Sequence, residues 1–263
     1  MNDDDWDQGK IVPNEPLYTK SFSCAATVGS FARTCQAAHI LGKVLAHQEA
    51  KKSSEDVEAL LSEAWHLHHA LGALQSTLEQ GDEAGRLCSL PGQQGAEQWR
   101  REASRLSALS LCASARVLLY NNYGCNDPSA PVVERIPQET EMQQVSYEGI
   151  VMVASITARS VAQSIVSHHG ATSLSYQDDQ DEKGDKGDKG DQGVTAWSPF
   201  LAQFVYHAAT ECAWFVREDH EARMYDALRD VVRGLEVLSR RWGLGGKLLS
   251  SPSLVFVPTL LGK

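Results

Sequence analysis

The chain has 263 residues, of which 42 % are hydrophobic and 22 % charged, a composition that supports a large buried core and excludes a disordered polypeptide. Its formal net charge of −10 disfavours binding to the phosphate backbone of a nucleic acid. The N-terminus begins MNDDDWDQGK, which is acidic and lacks the apolar core of a secretory signal, so we expect the protein to stay inside the cell.

The cysteines and the apolar runs exclude two further classes. The most apolar run, residues 149–158, is interrupted by Arg159 before it reaches the ~20 residues that a bilayer requires, so no membrane span is predicted. The cysteines form no CxxC pair, which excludes a zinc finger and favours free thiols in a reducing compartment. They are Cys24, Cys35, Cys88, Cys112, Cys125 and Cys212.

The first part of the chain is predicted to be an irregular lead-in followed by a helix. Residues 1–20 are acidic and hold two prolines, with Trp6 and Tyr18 as anchors onto the folded part. From Ser21 to about Ala50, apolar or small residues recur every three or four positions and predict an amphipathic helix. These residues are Val28, Phe31, Cys35, Ala38, Gly42 and Leu45.

Two more helices are predicted next. Ser53 or Ser54 is the expected N-cap of a helix that ends near Gly81, and a glycine-rich loop follows to Gly95. Helix resumes from about residue 96 to residue 123, and its broad apolar face predicts a central position in the fold. The apolar residues of the helix before the loop are Val57, Leu60, Leu61, Ala64, Leu67, Leu71, Leu74 and Leu78.

The following stretch predicts a long helix and then an insertion. Prolines keep residues 125–137 irregular, and helix is expected from about Gln138 to His168. Residues 170–196 repeat Gly-Asp-Lys with almost no apolar content, which predicts a disordered surface insertion rather than a collagen-like helix. The core side of the long helix is predicted to hold Ile150, Val153, Ile156, Val161 and Ile165.

The C-terminal part predicts a helical hairpin over 198–249. Ser198 is the expected N-cap and Pro199 the first residue of its first helix. The second helix carries one buried face, formed by Met224, Leu228, Val231, Leu235, Leu238 and Trp242. Together these elements predict an all-α, multi-helix bundle with helical hairpins. We expect one helical domain over residues 21–250, followed by a tail over 251–263.

One polar pair is the best candidate for a ligand site. His207 and Glu211 lie four residues apart on a predicted helix, and Trp214 continues their face. A buried polar pair among aromatic residues can orient a small-molecule effector, and Tyr120 of the apolar helix is a fourth candidate. The favoured interpretation is instead a structural pair, in which the two side chains satisfy each other between packed helices.

Other chemical motifs carry little weight. The WHLHH segment places His66, His68 and His69 within one turn, but without the spacing of metal ligands, so no metal or cofactor is predicted. His168 and His169 are expected to cap a helix end. The sequence GLGGK at 243–247 lacks the residues of a phosphate loop and predicts a helix C-cap. With no catalytic motif present, we do not expect an enzyme.

Four helical blocks resemble, in order, the C-terminal half of the fungal-specific transcription factor domain, the all-helical middle homology region of zinc binuclear cluster transcription factors. The early WDQG at 6–9 is similar to a segment that often precedes them. The blocks are SFARTCQAAHILGKVLAH (Ser30 to His47), SEAWHLHHALGALQSTL (Ser62 to Leu78), ALSLCASARVLLYNNY (Ala108 to Tyr123) and the hairpin from Ser198 to Leu249.

The resemblance implies a nuclear protein that regulates transcription. In that family, an N-terminal six-cysteine zinc cluster and a basic linker contact DNA, and this sequence has neither, so no zinc-binding or DNA-binding residue is predicted. The expected function is therefore that of a regulatory module that senses an effector or binds protein partners, including a second copy of itself. The alternative is a cytoplasmic or nuclear helical adaptor that binds another protein and never meets DNA.

Overall fold

A computed structural model describes residues 29–87, 96–124, 137–175, 197–219 and 222–242. Of these residues 94 % are helical and none lies in a strand, which confirms the predicted all-α fold. The lead-in over 1–20, the part of the insertion from 176 onward, the GLGGK run and the tail lie outside this set. The elements are α1 (Ser30–Ser53), α2 (Val57–Leu87), α3 (Ala96–Asn121), α4 (Pro137–Met152), a π-helical turn (Val153–Thr157), α5 (Ala158–Ser175), α6 (Pro199–Asp219) and α7 (Ala222–Trp242).

The chain forms two compact units, Met1–Val153 and Ala154–Lys263, which we call unit 1 and unit 2. The sequence predicted a single helical domain over 21–250, and the structure divides that stretch within the π-helical turn. The predicted start of the insertion also differs, because α5 continues through residue 170 to Ser175. Each unit has its own core.

Helix α3 is the centre of unit 1, since it packs against α1, α2 and α4. Leu106, Cys112 and Leu119 on it are fully or almost fully buried, in agreement with the predicted central position. Burying a leucine side chain contributes roughly 1.5–3 kcal/mol, so an apolar helix is most stable where it has neighbours on several sides. The predicted inner face of α2, from Leu61 to Leu78, is buried as well.

The buried face of α1 is the opposite of the predicted one. Phe31 is 72 % and Leu45 47 % exposed, and Ala38 and Gly42 are also exposed, whereas Cys35 is half-buried. At about 100° per residue, the residues that α1 does bury lie half a turn away from this stripe. They are Arg33, Gln36, Ala37, Ile40, Val44 and His47.

Helix α2 is capped by Asp56, not by Ser53 or Ser54 as predicted. The Asp56 Oδ1 atom accepts the backbone N–H of Ala59 at 3.0 Å, three residues on, as an N-cap side chain does. Ser54 acts one step earlier, its Oγ accepting the backbone N–H of Asp56 at 3.2 Å. The helix also passes Gly81, its predicted end, and continues to Leu87.

The predicted core face of the long helix is correct except at Ile156, which is 64 % exposed. The reason is the π-helical turn, whose wider hydrogen-bond ring adds a residue and shifts the register of the face. Thr157, the next residue, is buried in its place. Among the described residues, Pro137–His168 is the one stretch long and apolar enough to cross a membrane by length and composition, and half of its most apolar window is buried.

In unit 2, α7 packs against both α5 and α6. The predicted inner residues of α7 from Met224 to Leu238 are all buried, and Ser198 caps α6 by accepting the Phe200 backbone N–H at 3.3 Å. At Gly234 an added Cβ would lie 2.9 Å from the Cβ of Ala162, so α5 and α7 approach closely because neither residue carries a large side chain.

Candidate functional site

Seven polar side chains meet in unit 1 where α1, α2 and α3 pack together. Most of them interrupt otherwise apolar faces, and each has a hydrogen-bond partner on another helix or one turn away. We call this group the polar seam. It consists of His47 from α1, Glu63, His68 and Gln75 from α2, and Arg116, Tyr120 and Tyr123 from α3 and the turn after it.

Arg116 is the buried cation of the seam. It is 6 % exposed, and its Nε and Nη2 donate to the Tyr120 hydroxyl at 3.1 and 3.0 Å. Its Nη1 donates to Gln75 Oε1, and the Gln75 amide donates to Glu79 Oε1 at 2.7 Å. Because a buried guanidinium is costly unless its N–H groups are bonded, these contacts allow the charge to lie inside the unit.

The Tyr120 hydroxyl connects Arg116 to His68 through hydrogen bonds. Since the Tyr120 oxygen accepts two N–H groups from Arg116, its own proton is donated to His68 Nδ1, 2.9 Å away, which places the imidazole proton on Nε2. Burial, together with the nearby His69 and Arg116, lowers the pKa of His68 to about 4. Burial also raises the pKa of Tyr120, although Arg116 opposes this effect. His68 is therefore neutral at physiological pH.

A second chain of hydrogen bonds joins Glu63, His47 and Tyr123. Glu63 Oε2 lies 2.8 Å from Nδ1 of His47, and the Tyr123 hydroxyl lies 2.8 Å from its Nε2. His47 is 1 % exposed. The Lys51 ammonium lies 3.7 Å from the centre of the Tyr123 ring and donates to the carbonyl of Asn122 at the end of α3. A cation at this end is favoured by the helix dipole.

The Glu63–His47–Tyr123 chain has the connectivity of a carboxylate–imidazole–hydroxyl relay, but its hydroxyl is unsuited to nucleophilic chemistry. Burial and the carboxylates of Glu63 and Glu139 raise the pKa of Tyr123 to about 12, and the residue is 9 % exposed. A nucleophile needs an accessible, activated oxygen. The chain therefore ties helices together rather than activating Tyr123.

The seam fixes the packing of α1, α2, α3 and α4. The hydrogen bond from Tyr123 to His47 joins residues 76 positions apart, and that from Tyr120 to His68 joins residues 52 apart. The Tyr120 ring lies flat against Gly149 of α4, where an added Cβ would be 2.3 Å from Cε2. Only glycine leaves room for the ring at that position.

The four predicted site residues divide between the two units. Tyr120 belongs to unit 1 and the polar seam, whereas His207, Glu211 and Trp214 lie on α6 in unit 2. His207 is exposed and its Nε2 accepts from the Gln203 amide at 2.6 Å, one turn before it. Trp214 is 42 % exposed. These three α6 residues lie on a surface rather than around a pocket.

Two histidines of WHLHH have hydrogen-bond partners within unit 1. His68 belongs to the seam, and His69 Nδ1 donates to the carbonyl of Trp65 at 2.8 Å. The rings of Trp65, His68 and His69 lie with centroids 5.2–5.9 Å apart. Within the described part of the chain, no group of three or more His, Cys, Asp or Glu side chains is arranged to hold a metal ion. His168 stacks edge-on against Trp197, with centroids 6.3 Å apart.

One shallow depression of about 330 Å³ lies on the exposed side of the π-helical turn in unit 2. Two of its lining residues bond to Asp230. Arg159 Nε donates to Asp230 Oδ2 at 2.7 Å, and the Gln163 amide donates to the same oxygen at 2.9 Å. The depression is lined by Ser155, Ile156, Arg159, Ser160 and Gln163, which all come from one helical stretch, so it is a surface concavity and not an enclosed pocket.

The sequence pointed to one member of the seam, Tyr120, and missed its partners. The available signal was the position of Arg116 and His47: Arg116 lies one turn before Tyr120, and His47 continues the spacing of Ile40 and Val44 on α1. A polar residue at a core position implies a partner on another helix. Which helix supplies the partner is not encoded in local spacing.

Comparisons with known proteins add no identification, since no protein family model, no curated protein and no solved structure matches the chain.

Proposed function

We propose that this chain is a helical regulatory module of a fungal transcription regulator, one that acts through protein partners or an effector and has no DNA-binding element within these residues. The support is the sequence resemblance to the fungal-specific transcription factor domain, together with an all-helical structure. No catalytic step is part of the proposal, because the one relay-like arrangement in the described residues ends at a buried phenol with a raised pKa.

The observation that carries the proposal is the location of the resembling blocks. The block Ser30 to His47 lies in α1, Ser62 to Leu78 in α2, and Ala108 to Tyr123 in α3 and the turn after it. All seven members of the polar seam come from these three blocks. The residues that carry the resemblance are thus the ones that hold unit 1 together, as expected of a shared structural module.

The charge of the molecule supports indirect rather than direct action on DNA. A net charge of −10 opposes approach to a phosphate backbone, so in this proposal the module reaches a promoter through a partner. A nuclear location follows from the same proposal. A mobility-shift assay with duplex DNA at low salt should show no binding by the chain alone, and salt-sensitive binding would overturn this part of the proposal.

The test of the function is a reporter assay. The full chain is fused to a heterologous DNA-binding domain, and expression of a reporter that carries the matching site is compared with that given by the DNA-binding domain alone. The proposal expects the fusion to raise or lower reporter output. Unchanged output from a fusion that accumulates to the same level would contradict it.

A second function, that of a protein-binding adaptor, is favoured by the exposed apolar stripe of α1. Phe31 and Leu45 are large side chains that a self-contained helix would bury, and their exposure is typical of a docking face. The double substitution F31E/L45E separates the two proposals, with Val57→Glu, at a comparably exposed position of α2, as control. An adaptor loses its partner in a pull-down while showing no effect in the reporter assay, whereas a regulator changes reporter output.

A further inference from the structure

The longest uninterrupted exposed run among the described residues covers residues 52–59, with the sequence KSSEDVEA. It joins the end of α1 to the first turn of α2. The chain is anchored on both sides of this run, because Lys51 donates to the Asn122 carbonyl and Leu61 is 4 % exposed. The run therefore projects from unit 1 between two fixed points without entering its core.

Two serine hydroxyls lie near the start of the exposed run. Ser53 Oγ is 3.4 Å from the carbonyl oxygens of Glu49 and Ala50, one turn before it, and Ser54 Oγ accepts the backbone N–H of Asp56 at 3.2 Å. These partners are close in sequence, and all of these contacts are exposed to water. Neither hydroxyl is tied into the packing of unit 1, so both are accessible to a reagent or an enzyme.

The serines are followed directly by exposed carboxylates, those of Glu55, Asp56 and Glu58. We propose that Ser53 and Ser54 form a phosphorylation site for an acid-directed protein kinase, an enzyme that recognises carboxylates after the serine through its own cationic side chains. The serine oxygen bonds to the γ-phosphorus of ATP, the bond to ADP breaks, and the hydroxyl proton passes to the kinase. This chemistry goes beyond the transcriptional role proposed above and does not depend on it.

The backbone of the exposed run can enter a kinase cleft at little cost. Ser54 already has an extended backbone, with φ −96° and ψ 137°. The bonds that hold its neighbours are peripheral: the Ser54 N–H donates to the Ala50 carbonyl at 2.8 Å, and the Ala59 N–H donates to Asp56 Oδ1 at 3.0 Å. Segments with exposed backbone bonds and few buried contacts open at the lowest free energies, so unit 1 can stay folded while the run is bound.

Ser76 of α2 separates the effect of the structure from that of the sequence. Like Ser53, it is exposed and is followed by a carboxylate three residues on, that of Glu79. Its neighbours Gln75 and Leu78, however, are 7 % and 4 % exposed. Drawing Ser76 into a kinase cleft would pull these side chains out of unit 1, so Ser76 should stay unmodified in the folded chain.

The test is phosphorylation of the full chain in vitro by an acid-directed kinase of the casein kinase type, with the modified residues located by fragment mass spectrometry. We expect phosphate on Ser53 or Ser54. The E55Q/D56N variant keeps a good N-cap residue for α2 and should accept phosphate at these serines at least about tenfold more slowly. An unchanged far-UV circular dichroism spectrum confirms that this variant is folded.

Synthetic peptides over residues 48–60 and 71–83 are the controls for sequence alone. Both peptides should accept phosphate, whereas in the folded chain Ser53 and Ser54 should be modified at least about tenfold faster than Ser76. Absence of phosphate from Ser53 and Ser54 in the folded chain would overturn the proposal. So would a rate at these serines that E55Q/D56N leaves unchanged, or equal rates at Ser76 and at the Ser53–Ser54 pair.

Discussion

Replacing Tyr120 by phenylalanine probes the polar seam with the smallest change. The ring stays against Gly149, and only the hydroxyl is lost. Two N–H groups of the buried Arg116, which contact that oxygen at 3.0 and 3.1 Å, and His68 Nδ1, at 2.9 Å, lose their partner. Hydrogen bonds to charged groups contribute about 1.5–3 kcal/mol each, so we expect Tyr120→Phe to destabilise the protein by about 3 kcal/mol.

The matched comparison is Tyr123→Phe, three residues further along. It removes one hydrogen bond, between the Tyr123 hydroxyl and His47 Nε2 at 2.8 Å, and should cost about 1 kcal/mol. Both values come from urea titrations followed by far-UV circular dichroism, with an unchanged dependence on urea as the sign that only stability has altered.

The expected cost of Tyr120→Phe depends on the charge of Arg116, and a double-mutant cycle measures this dependence. In an Arg116→Met background the cost of Tyr120→Phe should fall to about 1 kcal/mol, since only the bond to His68 remains to be lost. If Tyr120→Phe costs no more than Tyr123→Phe, or if its cost is the same with and without Arg116, the guanidinium does not depend on this hydroxyl and the reasoning fails.

Gly149→Ala places a Cβ 2.3 Å from the Tyr120 ring and should lower the free energy of unfolding by about 2–3 kcal/mol; an unchanged urea midpoint would contradict this. The pKa of His68 is about 4 when folded and 6.5 when unfolded, so stability is full above pH 6.5 and decreases as the pH falls to 4; His68→Gln should show a smaller decrease. Burial raises the pKa of Cys112 to about 12, so a maleimide should label half-buried Cys35 before Cys112 in the native protein, and equal labelling rates of these two thiols by mass spectrometry would exclude a buried Cys112 thiol.

The sequence predicted the helices best where one face is strongly apolar and the other strongly charged. Helix α7 is the clearest case, because the residues from Met224 to Leu238 recur at helical spacing and the rest of its surface is charged. The sequence failed at Ile156 because a π-helical turn has no local signature in apolar spacing. It placed the N-cap of α2 at a serine because Ser54 and Asp56 are both good capping residues two positions apart.

The polar seam was beyond prediction from spacing for a different reason. Tyr120 was recognised as a candidate, but its hydrogen bonds reach His68 across 52 residues of sequence. Helical periodicity describes which residues of one helix share a face and says nothing about which helix they meet. The opposite case occurs on α6. His207 and Glu211 have the spacing of residues that share a helix face, yet His207 is exposed and contacts Gln203.

Helix α1 combines both effects on its two faces. It buries Arg33, Gln36 and His47 while it exposes Phe31 and Leu45, so the local pattern and the final packing disagree along its whole length. Such conflict lowers stability and is concentrated at functional surfaces in natural proteins. The seam provides the buried His47 with partners through Glu63 and Tyr123, while the apolar stripe stays exposed. The seam thus anchors α1 in the one orientation that presents its stripe outward.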